Sequence, residues 1–118
     1  MESAKEAAQR LSAAVAANPT RRMGGLCFFG QWDGGRRGEN WYVLDSCSAE
    51  GDALRLDLEG GRELLIHGFD GVDIWENSIT IRAVERFVVR YGPGQEHEIR
   101  PPSGWPPHSS DVAFEFAV

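Results

Sequence analysis

The sequence is poor in cysteine and in long apolar runs, and each of these scarcities excludes a class of protein. Its two cysteines, Cys27 and Cys47, are far apart and form no C-x-x-C pair, so we expect neither a zinc clasp nor a thioredoxin-like redox site. Both are expected to be buried free thiols. No apolar run approaches the roughly 18 residues of a membrane span, and the acidic Glu2 and Glu6 do not suit a secretory signal. The expected compartment is therefore the cytoplasm.

The sequence also lacks the short motifs that mark common catalytic and nucleotide-binding sites. It contains no G-x-x-x-x-G-K-[ST] phosphate loop, no G-x-G-x-x-G turn between a strand and a helix, and no G-x-S-x-G nucleophile elbow. The group Glu96-His97-Glu98 has metal-ligand chemistry, but three adjacent side chains cannot all face one ion. We therefore predict no cofactor and no metal site.

The charge distribution argues against nucleic acid and membrane partners. The net charge is −6, and residues 41–118 alone carry −8, which repels phosphate backbones and anionic lipids. The local basic clusters are Arg21-Arg22 and Arg36-Arg37, and solvated, flexible arginines are the simpler interpretation of both. The partners that remain are a protein, a second copy of the chain in a weak homodimer, or a small molecule.

Length and composition predict a single domain over 1–118. With 118 residues, 42% hydrophobic and 25% charged, the chain can bury a core without disulfide or metal staples. A helix is predicted over 3–17, because Ser3 and Glu6 have capping-box spacing, alanines favour helix, and Pro19 ends it. Its narrow apolar stripe suits a helix that covers one end or face of a sheet. The stripe consists of Ala4, Ala7, Ala8, Leu11, Ala14 and Val15.

Residues 24–118 predict about eight short strands joined by hairpins. The segment 54–58 alternates leucine with polar residues, which is typical of a half-buried strand. A three-residue turn over 59–61, with a glycine in the left-handed region, places Leu56 opposite Leu64 and keeps the apolar residues on one face.

The next hairpin is predicted to turn at Asn77-Ser78. A two-residue turn there places Ile74 opposite Ile81 and Val72 opposite Ala83. These pairs again share one apolar face.

A long loop is predicted over 92–110, before a last strand over 112–118. The loop contains five of the six prolines and no hydrophobic periodicity. The fold class that follows is α+β, mainly β. It combines an N-terminal helix with an antiparallel, hairpin-connected sheet closed as a small barrel or sandwich, because closure protects strand edges.

Residues 54–92 carry a family resemblance. An alternating strand and a turn lead into a stretch that begins at Gly71-Val72, passes through Asn77-Ser78 and ends at Tyr91-Gly92. This pattern resembles a set of small, uncharacterised bacterial proteins, in which aromatic residues usually occupy the positions of 88–90. The resemblance implies a β-rich module without known activity, and it transfers no catalytic residue.

The aromatic residues are the strongest candidates for a binding surface. Trp75 falls on the strand face opposite Val72, so we expect it to be partly exposed. Trp105 lies in the proline-rich loop, either as a plug over the core or as an exposed anchor; the plug is favoured, because exposing an indole forfeits about 2 kcal/mol of burial. The candidate binding residues are Trp105, Trp75, Trp32, Trp41, Arg36 and Arg37.

Two non-enzymatic functions agree with these residues. The leading hypothesis is an interaction or accessory module that contacts a protein partner through the Pro/Trp loop and the Trp75 face. The alternative is a carrier for a small anionic or aromatic ligand, with Arg36 or Arg37 pairing its charge. The carrier's cleft would be lined by Trp32, Trp41, Trp105 and Tyr42.

An enzyme is the third hypothesis. Its most plausible centre combines His67 with Asp70 and Asp73, because histidine and carboxylate together serve neutral-pH acid–base chemistry. This hypothesis requires His67 within hydrogen-bond reach of one of the two aspartates at a cavity wall.

Overall fold

One α-helix, ten strands and a short 3-10 turn at Glu59–Gly61 make up the regular structure of the described chain. The computed structural model describes residues 2–18, 20–32, 41–101, 104 and 110–117. The helix is α1 (Ala4–Ala16). The strands are β1 (Arg22–Phe28), β2 (Gln31–Trp32), β3 (Trp41–Glu50), β4 (Ala53–Leu58), β5 (Glu63–His67), β6 (Gly71–Trp75), β7 (Ser78–Arg82), β8 (Arg86–Gly92), β9 (Gln95–Ile99) and β10 (Val112–Phe116).

All strand pairs are antiparallel and belong to one sheet. The order across the sheet is β6-β7-β10-β1-β3-β4-β5-β8-β9, and β2 pairs with β1 beside this path. The predicted mainly β architecture with an N-terminal helix is confirmed. The predicted closure into a barrel is not, because the pairing within the described residues starts at β6 and stops at β9.

The long strand β3 joins two halves of the sheet that face each other. β6, β7, β10 and β1 lie on one side of β3, and β4, β5, β8 and β9 lie on the other. Phe28 of β1 and Phe87 of β8 stack with ring centroids 5.4 Å apart, although their strands are not neighbours in the sheet. The core lies between the halves. Its largest buried side chains include Leu44, Leu54, Leu56, Ile66, Ile79 and Ile81.

Helix α1 covers one end of this core, as predicted. It begins one residue later than predicted, with Ser3 as the N-cap, whose hydroxyl oxygen accepts the Glu6 backbone N–H at 3.1 Å. The helix packs mainly on β3 and β4, and the Ser12 hydroxyl donates to the Cys47 carbonyl at 3.3 Å. The predicted apolar stripe is in the core: Ala4, Ala7, Ala8, Leu11 and Val15 are buried and Ala14 is partly buried.

The register predicted for the β4–β5 hairpin is confirmed. Leu56 pairs with Leu64 across a three-residue turn, and Gly60 has φ of 79°, in the left-handed region that favours glycine. Hydrophobic alternation determines this register because a slip of one residue would move every leucine to the solvent face.

The register predicted for the β6–β7 hairpin is wrong by two residues. Ile74 pairs with Ile79 and Val72 with Ile81, so the turn is at 76–77 instead of 77–78. A slip of two residues keeps every side chain on its own face, and hydrophobic alternation therefore cannot detect it. Contacts distant in sequence hold the observed turn, since the Asn77 side-chain amide donates to the carbonyl of Phe116 at 3.0 Å.

The predicted loop over 92–110 is wrong in its first part, because β9 lies within it. β9 pairs with β8, where His97 is opposite Val89 and Ile99 is opposite Phe87. The charged residues of β9 show no hydrophobic alternation from which a strand could be predicted. An edge strand buries few of its side chains and therefore tolerates polar ones. The last strand is confirmed as β10, which ends at Phe116.

Candidate functional site

The end of the core away from α1 contains an apolar pocket with an arginine at its mouth. Helix α1 contacts β3 near Cys47, about five strand residues, or roughly 17 Å, from Tyr42 at the other end of that strand. The pocket lies at the Tyr42 end and has a volume of about 190 Å³. We call it the tyrosine–arginine pocket, after Tyr42, Arg62 and Tyr91 at its rim. Its apolar floor is formed by Phe28, Leu58, Leu64, Phe87, Val89 and Ile99.

Strand alternation places the rim and floor residues on the same side of the sheet. Tyr42 is paired with Met23, whose side chain is fully buried, so both belong to the core face. Along β8, Val89 and Tyr91 share one face, and His97 of β9 is opposite Val89. Val89 is buried, whereas Tyr91 is 51% exposed. The same face of β8 therefore lies in the core at Val89 and at the pocket rim at Tyr91.

The guanidinium of Arg62 contacts both tyrosine rings. Its central carbon lies 5.0 Å from the ring centroid of Tyr42 and 5.1 Å from that of Tyr91, within the range of cation–π attraction. Arg62 directly precedes β5, and the two tyrosines come from strands on either side of β5 in the sheet order. The pairing of the strands therefore holds the cation at the pocket mouth.

Arg62 also differs from most other arginines of the described chain in its partners. Six of them lie within 4.0 Å of a carboxylate oxygen: Arg10, Arg55, Arg82, Arg86, Arg90 and Arg100. Arg62 has no such ion pair with any described residue. Among the described residues, the contacts of its guanidinium are those with the two tyrosine rings.

Two of the predicted binding residues, Trp75 and Trp41, do not line this pocket. Trp75 is 76% exposed at the β6 edge, which confirms its expected exposure. Trp41 lies over Gly24 on the outer face, where a Cβ at Gly24 would overlap the indole, and the Arg22 guanidinium is 5.7 Å from the ring. Because Trp41 and Tyr42 alternate on the strand, they point to opposite faces and do not line one cleft.

For the remaining predicted binding residues, the structure describes only the backbone of Trp32. β2 places the backbone of Trp32 opposite Cys27. The side chain of Trp32, and the whole of Arg36, Arg37 and Trp105, lie outside the described residues. Whether Trp105 plugs the core therefore stays a prediction.

The predicted histidine–aspartate centre is not assembled. Asp70 and Asp73 both pair with Arg82, at 3.0 and 2.9 Å. His67 instead lies near Asp52, with 3.7 Å between its Nδ1 and a carboxylate oxygen. In the described part of the chain, no three His, Cys, Asp or Glu side chains cluster as metal ligands would.

Arginines and carboxylates cover the outer face of the second half of the sheet. Arg90 pairs with Glu50 at 2.8 Å and with Glu63 at 2.9 Å, and Arg55 pairs with both acids as well. The hydrogen bond from Arg90 lowers the pKa of Glu50. The stems of these arginines shield Leu65, which is buried on the face away from the core. The charged groups of this surface pair with one another, so little of their charge is left for a ligand.

The cysteines are free thiols, and both are partly buried. Burial raises the pKa of Cys47 to about 12, and burial also raises the pKa of Cys27. A thiol with a raised pKa is a poor nucleophile at neutral pH. The low reactivity of both thiols agrees with the lack of a C-x-x-C motif in the sequence.

Sequence reasoning missed Arg62, because it follows the glycine turn and no local pattern marks it as part of a site. A signal was present in the alternation along β3 and β8, since Tyr42 shares a face with buried Leu44, and Tyr91 shares a face with buried Val89. Combining these positions requires the order of β3, β5 and β8 in the sheet, and these strands are not consecutive in the chain.

Comparisons with known proteins supply no relative. No protein-family model, no curated protein and no solved structure matches the chain. The resemblance of residues 54–92 to small bacterial proteins therefore stays an expectation. Within the described residues, no helix has the length and apolarity needed to cross a membrane.

Proposed function

We propose that the protein is a non-enzymatic binding module that holds a small ligand, with an apolar body and an anionic group, in the tyrosine–arginine pocket. One observation carries the proposal: the Arg62 cation is held over two tyrosine rings at the mouth of an apolar cavity, without a carboxylate partner among the described residues. This is the carrier hypothesis with Arg62 in the role expected of Arg36 or Arg37.

The cavity volume limits the size of the ligand. At about 190 Å³ the pocket is smaller than the roughly 300–1,000 Å³ typical of drug-sized ligands. It is slightly larger than the roughly 150 Å³ apolar cavity that suffices for benzene. The apolar body that fits is therefore one ring or a short branched chain.

The side chains around the pocket favour binding over catalysis. Of the lining residues, Arg62, Tyr42, Tyr91 and His97 carry polar groups, and the rest are apolar. No contact between described residues pairs a nucleophile of this rim with a base that a third group orients. Such a rim can fix a ligand's charge and exclude water, which is the work of a carrier or sensor.

Calorimetric titration with benzoate and hexanoate, two amphiphilic anions of suitable size, tests the proposal. We expect saturable binding by the wild type and a loss of about tenfold or more in affinity for Arg62→Ala, because a charged hydrogen bond contributes about 1.5–3 kcal/mol. Arg100→Ala is the matched control, since Arg100 is exposed and pairs with Glu98 away from the pocket. Absence of binding by the wild type, or equal losses in both variants, would contradict the proposal.

A second candidate function is the interaction module, and the exposure of Trp75 favours it. An indole that is 76% exposed on an edge strand is a suitable anchor for another chain. If this surface mediates a weak homodimer, sedimentation will show a mass that rises with concentration, and Trp75→Ala will remove the rise. A monomer at every concentration would exclude self-association.

A further inference from the structure

We infer that the ligand of the tyrosine–arginine pocket is a monocarboxylate joined to a single ring, bound through the planar edge of the Arg62 guanidinium. The inference rests on the proposed function and specifies its ligand class. Three observations carry it: the contacts of the guanidinium, the charge of the rim, and the rings of the floor.

The first observation concerns the part of Arg62 that remains free for a ligand. Its central carbon lies 5.0 Å from the ring centroid of Tyr42 and 5.1 Å from that of Tyr91, and Arg62 forms no ion pair with a described carboxylate, so no described acid occupies its N–H donors. The N–H donors of a guanidinium lie in its plane, around its edge. An edge presents a fork of parallel donors, and this fork matches the two oxygens of a carboxylate.

The second observation is the charge available at the rim. Arg62 is the one permanent cation among the described residues that line the pocket. Acidic groups lie close to it in sequence, and the Glu59 carboxylate accepts the Val43 N–H at 3.3 Å beside the rim strand β3. A single cation in an acidic surrounding balances a monoanion better than a phosphate-like dianion.

The third observation concerns the shape of the floor. Phe28 and Phe87 are stacked with 19° between their planes and 5.4 Å between their centroids. Phe28 is only partly buried, so its ring is the member of the pair that a ligand can reach, whereas Phe87 is fully buried. A flat ring packs against such a floor with little conformational entropy to lose, whereas a flexible chain of equal volume would lose more.

The experiment compares four probes by NMR and calorimetric titration of the full chain. Benzoate has both the ring and the carboxylate; benzamide keeps the shape without the charge; acetate keeps the carboxylate without the ring; phenylphosphonate, at a pH above its second ionisation, is a dianion. We expect benzoate to bind about tenfold or more tightly than each of the others, since each of them lacks either the single carboxylate charge or the ring that fills the apolar floor.

Two arginine variants test whether the planar shape of the guanidinium, and not its charge alone, determines the affinity for benzoate. Arg62→Lys keeps the charge but loses the planar fork, so we expect about a tenfold weaker affinity for benzoate and an unchanged affinity for benzamide. Arg86→Lys is the matched control, because Arg86 pairs with Glu98 on the outer face. Equal benzoate affinity for Arg62→Lys and wild type would overturn the inference.

The outcomes separate the inference from the proposed function. If benzamide or phenylphosphonate binds as tightly as benzoate, the pocket is a binding site but the ligand class is wrong. If neither benzoate nor hexanoate binds, the proposed function fails as well. If acetate equals benzoate, the apolar floor contributes nothing and the inference is overturned.

Discussion

The two ends of the core differ in what closes them. At one end α1 places small and medium apolar side chains on the sheet, and Ala7 and Leu11 are fully buried. At the other end the rim consists of two tyrosines, an arginine and a histidine, and Tyr91 is half exposed. The first arrangement fills its end of the core and gains stability from burial. In the second, the described residues leave a cavity, and Arg62 has no ion pair with a described carboxylate.

The α1 end is also tied down by polar contacts at a sheet edge. The Glu2 carboxylate accepts the backbone N–H of Val72 at 3.0 Å, and Arg10 donates to the carbonyl of Val72 at 2.8 Å. Glu2 and Arg10 also pair with each other at 2.8 Å. These side chains form hydrogen bonds with the backbone N–H and C=O of Val72, which face away from the sheet. The bonds protect the edge strand β6 from pairing with a strand of another chain.

Truncation of the buried helix side chain should have the largest effect on stability. Leu11→Ala removes a fully buried leucine, and such changes cost about 2–5 kcal/mol because a cavity remains. We expect urea unfolding to show this loss, while the folded fraction still binds benzoate. A change below about 1 kcal/mol would show that α1 is not an integral part of the core.

Loss of the Glu2 carboxylate should have an intermediate effect that depends on pH. Burial raises the pKa of Glu2, but hydrogen bonds from Arg10 and Val72 more than offset it and leave the pKa below the usual 4.5. Glu2 therefore stabilises the fold above about pH 4.5, and this contribution disappears as the pH falls through the lowered pKa. Glu2→Gln should cost about 1 kcal/mol at pH 7.

Urea unfolding of wild type and Glu2→Gln at several pH values measures this dependence. The gap between the two proteins should narrow as the solution becomes more acid. A gap that widens or stays constant below pH 4.5 would show that the charge of Glu2 is not what stabilises the edge.

Removal of the rim cation should affect stability less, and binding strongly. Arg62→Ala loses two cation–π contacts at a partly exposed site, where such contacts contribute about 0.5 kcal/mol each. We expect the free energy of unfolding to fall by about 1 kcal/mol or less while affinity for benzoate falls by about tenfold or more. A large loss of stability would mean that Arg62 serves the fold.

Truncation of the exposed edge tryptophan should have the smallest effect on stability. Trp75 is 76% exposed, so Trp75→Ala should change the free energy of unfolding by about 0.5 kcal/mol or less and leave the pocket unaffected. Thermal unfolding measures this. A loss comparable to that of Leu11→Ala would show that the indole packs against the sheet.

The sequence was sufficient for features that local chemistry determines. Ser3, the alanine stripe and the turn at 59–61 are local signals, and the helix and the β4–β5 register follow from them. The β6–β7 register could not be predicted in this way, because it depends on a contact between Asn77 and Phe116, which are distant in sequence. β9 could not be predicted because charged residues are tolerated in a strand only at the edge of a sheet, and its position at the edge is not visible in the sequence.

The pocket was less accessible to sequence reasoning for a related reason. Tyr42, Arg62 and Tyr91 meet only through the sheet order, which places β3, β5 and β8 within reach of one another. Each residue by itself is an ordinary member of a strand or a turn. Attention to tryptophan, a common indicator of binding surfaces, led to Trp41 and Trp75, and both lie outside the pocket.

An NMR titration of the ¹⁵N- and ¹³C-labelled protein with benzoate tests the central claim most directly. We predict saturable shifts confined to Arg62, Tyr42, Tyr91 and the floor residues Phe28, Phe87 and Leu64, with α1 and Trp75 unchanged. Shifts centred on α1 or on Trp75, or no saturable shift at all, would contradict the account that the open end of the core is the binding site.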